Sequence, residues 1–212
     1  MAVTSWQFVK STTGASVSGI GTVAWSGPTN IEADDATRAI ATSLGAGAKS
    51  YWLRGYFNFT TSDVPSGATI DGVEVEVDTY NATSYLCRFY AARIVIGGTI
   101  NGTDVSGMPS TTWGNSPIGE GKLTLGGASN LWNATPTDSD VRGSTFGVAI
   151  SVENYEASKT RSPGVDYIRM RIYYTTSAVI DAYIPAFATT LGLCESAEAA
   201  LQGSRKIRFS SY

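Results

Sequence analysis

The stretch that decides the fold covers residues 64–77 and reads Val64-Pro65-Ser66-Gly67-Ala68-Thr69-Ile70-Asp71-Gly72-Val73-Glu74-Val75-Glu76-Val77. A turn containing proline and glycine leads into valines that alternate with acids. Successive side chains of a strand point to opposite sides of the sheet, so the valines predict a buried face and Glu74, Glu76 and Asp78 a face in water. This alternation is typical of a half-buried antiparallel strand and contains no catalytic group.

Similar strand signals recur along the chain, each rich in β-branched or aromatic residues and bounded by Gly, Pro, Asn or Ser. The segments are 4–9, 36–43, 49–60, 69–78, 85–96, 121–125, 145–153 and 165–175. Their number fits two sheets packed face to face. We therefore predict an all-β fold, an antiparallel β-sandwich of jelly-roll-like form over residues 1–176, followed by a C-terminal extension over residues 177–212.

Two of these segments have distinct inward and outward faces. The inward rows are predicted to be Tyr51, Leu53, Phe57 and Phe59 in one segment and Phe146, Val148, Ile150 and Val152 in the other. The outward rows are Trp52, Arg54, Tyr56 and Asn58, and the small residues Gly147, Ala149 and Ser151. Trp52 and Tyr56 are candidates for stacking on a sugar ring. The alternative is that they face the second sheet or a neighbouring subunit, because large aromatics are enriched in interfaces too.

The last strand segment, 165–175, has one apolar face and one face of mixed chemistry. The apolar face consists of Ile168, Met170, Ile172 and Tyr174. The opposite face consists of Tyr167, Arg169, Arg171 and Tyr173. Tyrosine and arginine are enriched among the residues that dominate protein interfaces, so this face is predicted to bind a partner subunit or the second sheet.

The composition excludes several functions. The 212 residues are 42% hydrophobic and 16% charged with a net charge of −3, and this balance does not favour nucleic-acid binding. The chain has no histidine, which removes the commonest general base and zinc ligand and rules out a Ser-His-Asp triad. No phosphate-loop, dinucleotide or zinc motif occurs. We expect no enzymatic activity, no catalytic residue, no bound metal and no cofactor.

Several short polar or reactive features are predicted to be structural. Asp34 and Asp35 are interpreted as loop acids that precede a strand, although a carboxylate pair can cleave glycosides. Thr135 is predicted to cap a short helix with Pro136 as its first residue, and the acids that follow are not expected to bind calcium. Cys87 lies in an apolar run and is predicted to be a small buried residue and not a disulfide partner.

The ends of the chain suggest cytoplasmic synthesis and an anchoring tail. The N-terminal residues show no signal-peptide pattern, and no apolar run is long enough for a membrane helix, so no membrane insertion is expected. The tail, 177–212, contains a helix-like segment too short to be stable alone. We predict that it binds a partner, or alternatively folds back on its own domain. Its predicted contact residues are Ile184, Phe187, Leu191, Leu193, Ile207 and Phe209.

Residues 30–176 resemble a family of β-sandwich proteins of tailed bacteriophages. The likeness depends on the stretch from Val64 to Val75, on Phe146-Gly147-Val148-Ala149-Ile150, and on Val165-Asp166-Tyr167-Ile168-Arg169-Met170-Arg171-Ile172-Tyr173-Tyr174-Thr175. The resemblance implies a non-enzymatic structural protein located in the virion, as a head decoration, neck or tail component. The implied partners are other virion proteins and further copies of the chain, with a trimer as one candidate assembly. The alternative function is a carbohydrate-binding module or a host-surface adhesin of a phage tail.

Overall fold

The structure is a computed structural model of the chain, and it describes residues 1–81, 87–105 and 119–176. The chain divides into two units, Met1–Ser177 and Ala178–Tyr212. The second unit lies outside the described residues. The predicted anchor at 177–212 lies there too, with all six of its predicted contact residues, and its role stays a prediction.

The described residues form twelve strands, one short α-helix and one 3-10 helix. The strands are β1 (Ala2–Val3), β2 (Gln7–Phe8), β3 (Ala15–Val17), β4 (Trp25–Ser26), β5 (Ala39–Ala41), β6 (Trp52–Tyr56), β7 (Thr69–Asn81), β8 (Cys87–Ile96), β9 (Thr99–Asn101), β10 (Gly119–Gly127), β11 (Gly147–Asn154) and β12 (Pro163–Thr175). The helices are α1 (Asp138–Val141) and the 3-10 helix Pro28–Ile31. The prediction of an all-β antiparallel sandwich is confirmed.

The strands form two sheets. Sheet A has the order β10-β7-β12-β5-β4, and β1 and β2 also pair with β12. Sheet B has the order β3-β6-β11-β8-β9. Strand β12 is central to sheet A, because β7 pairs along one of its edges while β1, β2 and β5 share the other. All of the pairings between these strands are antiparallel, as the alternating sequence patterns predicted.

The core lies between the sheets and is built from the predicted inward rows. Val73, Val75 and Val77 of β7 are fully buried, and so are the inward residues of β11 and, in β12, Ile168, Met170 and Ile172, while Tyr174 is partly buried against them. Burial of apolar area contributes about 25 cal/mol per Å², so these rows supply the main force that holds the sheets together. Cys87 is also fully buried, as predicted, and burial raises the pKa of its thiol to about 12.

The short helix begins later than predicted. Its N-cap is Thr137, whose hydroxyl accepts a hydrogen bond from the Asp140 backbone N–H, while the Asp140 carboxylate accepts one from the Thr137 backbone N–H. This reciprocal capping box satisfies two backbone donors at once. The predicted cap at Thr135 would place Asp138 three residues later, but the Asp138 carboxylate instead accepts from the Gly67 backbone N–H and pairs with Arg142.

The N-terminal segment links the two sheets. Val9 N–H donates to Ile168 O of sheet A at 3.1 Å, and Lys10 N–H donates to Tyr56 O of sheet B at 2.7 Å. Between these bonds the Val9 side chain enters the core, where it lies against Gly55. A Cβ at Gly55 would overlap the Val9 methyl groups, which explains why glycine interrupts an otherwise bulky strand.

Replacing Val75 by aspartate is expected to prevent folding. The side chain is fully buried, and an unpaired carboxylate there costs several kcal/mol, comparable to the stability of a domain. Thr69→Asp, at an exposed position of the same strand, is the matched control. Thermal unfolding followed by circular dichroism compares the two variants. Equal melting temperatures would show that the strand faces are assigned wrongly.

Gly55→Ala is expected to destabilise the protein by about 1–3 kcal/mol, because the added methyl group overpacks the site beside Val9. Gly45→Ala is the control, since nothing lies within 4 Å of a Cβ at that position. Val9→Ala should partly rescue Gly55→Ala, so that the double variant loses less free energy of unfolding than the sum of the single losses. If the double variant lost the full sum of the two single losses in free energy of unfolding, this packing would be contradicted.

Candidate functional site

The outer face of sheet A carries two matched sets of charged and aromatic residues. Register places Arg171 of β12 opposite Glu74 of β7, and Arg169 opposite Glu76. The Arg171 Nε–H donates to Glu74 Oε2 at 2.6 Å, and Arg169 Nη2 lies 2.9 Å from Glu76 Oε1. Directly opposite residues of an antiparallel pair are close enough for such contacts. Each glutamate therefore faces an arginine across the strands.

Tyrosines of β12 complete both sets. The Tyr173 hydroxyl donates to Glu74 Oε2 at 2.6 Å, and the Tyr167 hydroxyl donates to Glu76 Oε1 at 2.7 Å. The four residues predicted as one partner-binding face therefore do share a face, and they share it with the two glutamates. Tyr167 is fully buried, so its hydroxyl and ring serve the network and are not open to a partner.

The expectation that the acids of β7 remain in water is wrong. The Glu74 and Glu76 side chains are each 13% exposed, and Asp78 is 3% exposed. The alternation of valine and acid correctly separates the two faces of the strand. In the structure, arginine and tyrosine side chains from β12 cover the polar face, and the alternation within β7 alone cannot reveal this.

The charged network shifts the pKa values of its members. Burial raises the pKa of the Glu74 carboxyl, but hydrogen bonds from Arg171 and Tyr173 and the Arg171 charge outweigh burial and hold this pKa below its usual range. The hydrogen bond to Glu74 raises the pKa of the Tyr173 hydroxyl, and burial raises it further. At neutral pH the network therefore holds a carboxylate, a guanidinium and a neutral phenol.

Trp6 lies on top of this network. The Cζ atoms of Arg169 and Arg171 lie 4.9 and 4.6 Å from the centroid of its ring. Both arginines project from the same face of β12, so they approach the indole from the sheet side. Trp6 is half-buried, so part of its side chain remains accessible. Contacts between arginine and an aromatic face hold the ring in place.

Phe8 extends the aromatic surface. It is 38% exposed, and its ring packs edge-on against Tyr167 with 5.4 Å between centroids. We call the surface formed by Trp6, Phe8, Tyr173 and the two Glu–Arg pairs the aromatic platform. Neither Trp6 nor Phe8 was predicted from the sequence to be functional. Their spacing of two within the predicted strand 4–9 was the available signal, since residues i and i+2 share a face.

The outer face of sheet B differs from what was expected. Trp52 is 7% exposed and packs with Ala91, Val95 and Ala149 in a small apolar cluster. It therefore offers no open ring face on which a sugar could stack. Tyr56 is half-buried, and the Arg54 Cζ lies 4.6 Å from the centroid of its ring. Of the two proposed stacking residues, the structure leaves only Tyr56 accessible.

Other candidate residues have local structural partners. Asp34 and Asp35 are exposed in the loop before β5, and Asp35 accepts a hydrogen bond from the Thr37 backbone N–H. Asp138 accepts from the Gly67 backbone N–H and pairs with Arg142 at 2.8 Å. Within the described ranges, no group of three or more histidine, cysteine or acidic residues could hold a metal ion. Nor does that part of the chain contain a helix long and apolar enough to cross a membrane.

No protein-family model matches the chain, and no curated protein matches it. Solved structures with some similarity to it include the following three. The first is a crystal structure with xylogluco-oligosaccharide, which is 16% identical to this chain with a TM-score of 0.38. The match covers 77% of this chain and 38% of that chain. The second is a structure described as domains CD, which is 17% identical to this chain with a TM-score of 0.35. The match covers 74% of this chain and 65% of that chain.

The third is SGBP-B from a complex xyloglucan utilization locus in Bacteroides uniformis. It is 12% identical to this chain, with a TM-score of 0.40, and the match covers 77% of this chain and 46% of that protein. The chain thus spans less than two thirds of the length of each of these three structures.

These comparisons correct the class predicted from the sequence. Two of the three structures are described by their relation to xyloglucan, and none is described as a bacteriophage or virion protein. The phage and virion descriptors predicted from the sequence, capsid decoration, neck and tail among them, are corrected here, because none of these descriptions supports them. One description names a xylogluco-oligosaccharide and another a xyloglucan utilization locus. Self-association stays a prediction.

Glu74→Gln is expected to lower the free energy of unfolding at pH 7 by about 1–3 kcal/mol, the range for a lost hydrogen bond to a charged group. Because the folded-state pKa of Glu74 is depressed, its contribution is present above the unfolded-state pKa and is lost as pH falls through the folded value. The difference from the unmodified protein should thus shrink below about pH 4. Urea unfolding at pH 7 and at pH 3 measures it.

Glu153→Gln is the control for this measurement. Glu153 pairs with Arg88, whose side chain is 55% exposed, and surface pairs of this kind contribute about 0–1 kcal/mol. A loss at Glu74 no larger than that at Glu153, or one that is the same at both pH values, would contradict the role given to the Glu74 network.

Proposed function

We propose that this chain is a carbohydrate-binding module with no catalytic role of its own, and that the aromatic platform on sheet A receives the sugar. The observation that carries the proposal is the position of Trp6. The centroid of its ring lies 4.9 and 4.6 Å from the Cζ atoms of Arg169 and Arg171, and the side chain is half-buried, so part of it stays accessible to a ligand. A flat aromatic face bordered by fixed hydrogen-bonding groups has the chemistry that a sugar ring requires.

A sugar ring presents two kinds of surface. Its axial C–H groups form an apolar patch that packs on the electron-rich face of an indole. Its hydroxyl groups are directed outward from the ring edge and need donors and acceptors. The arginine guanidiniums and the glutamate oxygens beside Trp6 provide both, since each guanidinium carries five N–H groups.

The network beneath Trp6 also keeps these groups in position before a ligand arrives. Arg171 and Tyr173 both donate to one oxygen of Glu74, and Arg169 and Tyr167 both lie against one oxygen of Glu76. Side chains that are already fixed lose little conformational entropy on binding, so more of the contact energy appears as affinity. This feature favours a binding site over a purely structural face.

A protein partner is the second candidate for the same face. Val3 is 47% exposed and Phe8 is 38% exposed, and both lie in the strands that pair with β12. Apolar side chains beside arginine and tyrosine are common at protein interfaces. The polar network and the accessible part of Trp6 favour a sugar, although the partner-binding face predicted from the sequence consists of residues of this same network.

Trp6→Ala is expected to weaken oligosaccharide binding about tenfold or more, comparable to the loss of one aromatic stacking contact of about 1–3 kcal/mol. Isothermal titration calorimetry with neutral oligosaccharides, xylogluco-oligosaccharide among them, measures the affinity. Tyr155→Ala is the control, because Tyr155 is an aromatic residue outside the platform and 39% of its surface is exposed. Trp6→Phe should retain part of the affinity.

Two results would overturn this proposal. One is that no oligosaccharide of a broad neutral and charged panel binds the folded protein. The other is that binding occurs but Trp6→Ala and Tyr155→Ala weaken it equally. Concentration-dependent self-association that is lost in Phe8→Ser, without any sugar binding, would assign the face to a protein partner.

A further inference from the structure

A cleft opens between two loops that follow the edge strands β9 and β10. The first loop covers residues 102–105 and the second covers residues 128–134. The cleft has a volume of about 620 Å³, and its lining residues are Thr103, Asp104, Val105, Ser129, Asn130, Leu131, Asn133 and Ala134. Ligand clefts commonly enclose about 300–1,000 Å³, so this one is large enough for a small molecule. None of its lining residues belongs to the aromatic platform.

Backbone hydrogen bonds hold the two loops together. The Thr103 N–H of the first loop donates to Trp132 O of the second loop at 2.8 Å. Gly102 permits this approach, because a Cβ there would overlap the same carbonyl oxygen, and its φ of +71° suits glycine. The Val105 N–H donates to Ala92 O at 3.0 Å, so the first loop is also bonded to β8. The cleft is therefore formed before a ligand arrives, and little ordering is needed on binding.

The second loop contains a strained turn that faces the cleft. Trp132 and Asn133 are consecutive residues with φ of 59° and 50°, a region that is costly for a bulky side chain. Such strain persists only where the surrounding structure imposes it, and it is frequent at ligand sites. The fully buried Trp132 donates its indole N–H to Val73 O at 3.0 Å and its backbone N–H to Asn130 Oδ1 at 2.8 Å. This anchored turn leaves Asn133 exposed on the cleft wall.

The lining of the cleft combines hydrogen-bonding groups with a smaller apolar part. Its exposed polar residues are Thr103, Asp104, Ser129 and Asn133. The larger apolar side chains are those of Val105, which is buried, and Leu131, which is half-buried. Asp104 Oδ1 accepts from the Ala92 N–H at 2.7 Å, which fixes the carboxylate. The described lining holds one acid and no cation, so it favours a neutral ligand over phosphate or another anion.

We propose that this cleft binds the terminal residue of a neutral oligosaccharide. The proposal rests on the proposed carbohydrate-binding function, but it concerns a separate surface. Each sugar hydroxyl can both donate and accept, and the Asn133 amide and the Asp104 carboxylate supply the matching groups. The residues that line the cleft include no aromatic ring, so hydrogen bonds rather than stacking select the sugar. A concave site of this kind encloses the end of a chain, whereas the platform lies on an outer sheet face.

The test follows individual NMR signals during titration with single sugars. The isotope-labelled full chain is titrated with the methyl glycosides of glucose, galactose and xylose, which represent chain ends. We expect saturable shifts of the backbone N–H signals of Asp104 and Ser129 and of the side-chain amide signal of Asn133 with at least one glycoside. The Trp132 indole signal should stay in place, because its N–H is bonded to Val73 O inside the core.

Two variants test the groups that contact the sugar. Asn133→Gly removes the amide but suits a positive φ, so it should weaken binding about fivefold while the melting temperature stays unchanged or rises. Asp104→Asn retains an oxygen for the Ala92 N–H but loses the charge, and it should weaken binding about tenfold. Asp34→Asn is the matched control, because Asp34 is an exposed loop acid outside the cleft, and it should leave binding unchanged.

The platform and the cleft can fail independently in this experiment. Trp6→Ala should leave the shifts of the cleft signals unchanged. The proposal would be overturned if none of the three glycosides shifted the cleft signals saturably, or if Asp104→Asn and Asp34→Asn weakened binding equally. A loss of binding confined to variants with a lowered melting temperature would also overturn it. Tighter binding of protonated glucosamine than of methyl glucoside would assign the cleft to a cationic ligand instead.

Discussion

The path of residues 4–10 between the sheets is the constraint on which the rest of the structure depends. Thr4 exchanges hydrogen bonds with Ile172, and farther along the segment one backbone bond reaches β12 and the next reaches β6. Because side chains alternate along this segment, Val9 enters the core while Trp6 and Phe8 remain on the outer face of sheet A. The same backbone path therefore joins the two sheets and places the aromatic platform.

Charge pairing distinguishes the two outer faces. On sheet A the strand register brings each arginine of β12 opposite a glutamate of β7, and the resulting network supports Trp6. On sheet B the register brings Arg54 and Arg93 to the two sides of an alanine, so neither meets a carboxylate. The same residue type thus supports an aromatic surface on one face and flanks a buried apolar cluster on the other.

The sequence predicted those features that depend on local alternation. A period of two assigned the buried rows of β6, β7, β11 and β12 correctly, because each row is fixed by one strand alone. It could not predict which strands become neighbours, so it missed the coverage of Glu74 and Glu76 and the pairing state of Arg54 and Arg93. Trp52 shows the same limit, because its burial depends on residues of β8 and β11. Trp6 was overlooked for a different reason. The face of the strand on which it lies could be predicted from the alternation, but its position above two arginines could not.

The most direct test of this account is an NMR titration that follows the tryptophan indole N–H signals during addition of an oligosaccharide that binds. The Trp6 signal should move, because its ring forms the open surface of the platform. Signals from Trp25 and Trp132 should not, because their indole N–H groups donate to the carbonyls of Tyr51 and Val73 inside the core. A saturating titration in which Trp6 does not respond, or responds no more than Trp25 and Trp132, would contradict the assignment of the sugar site to sheet A.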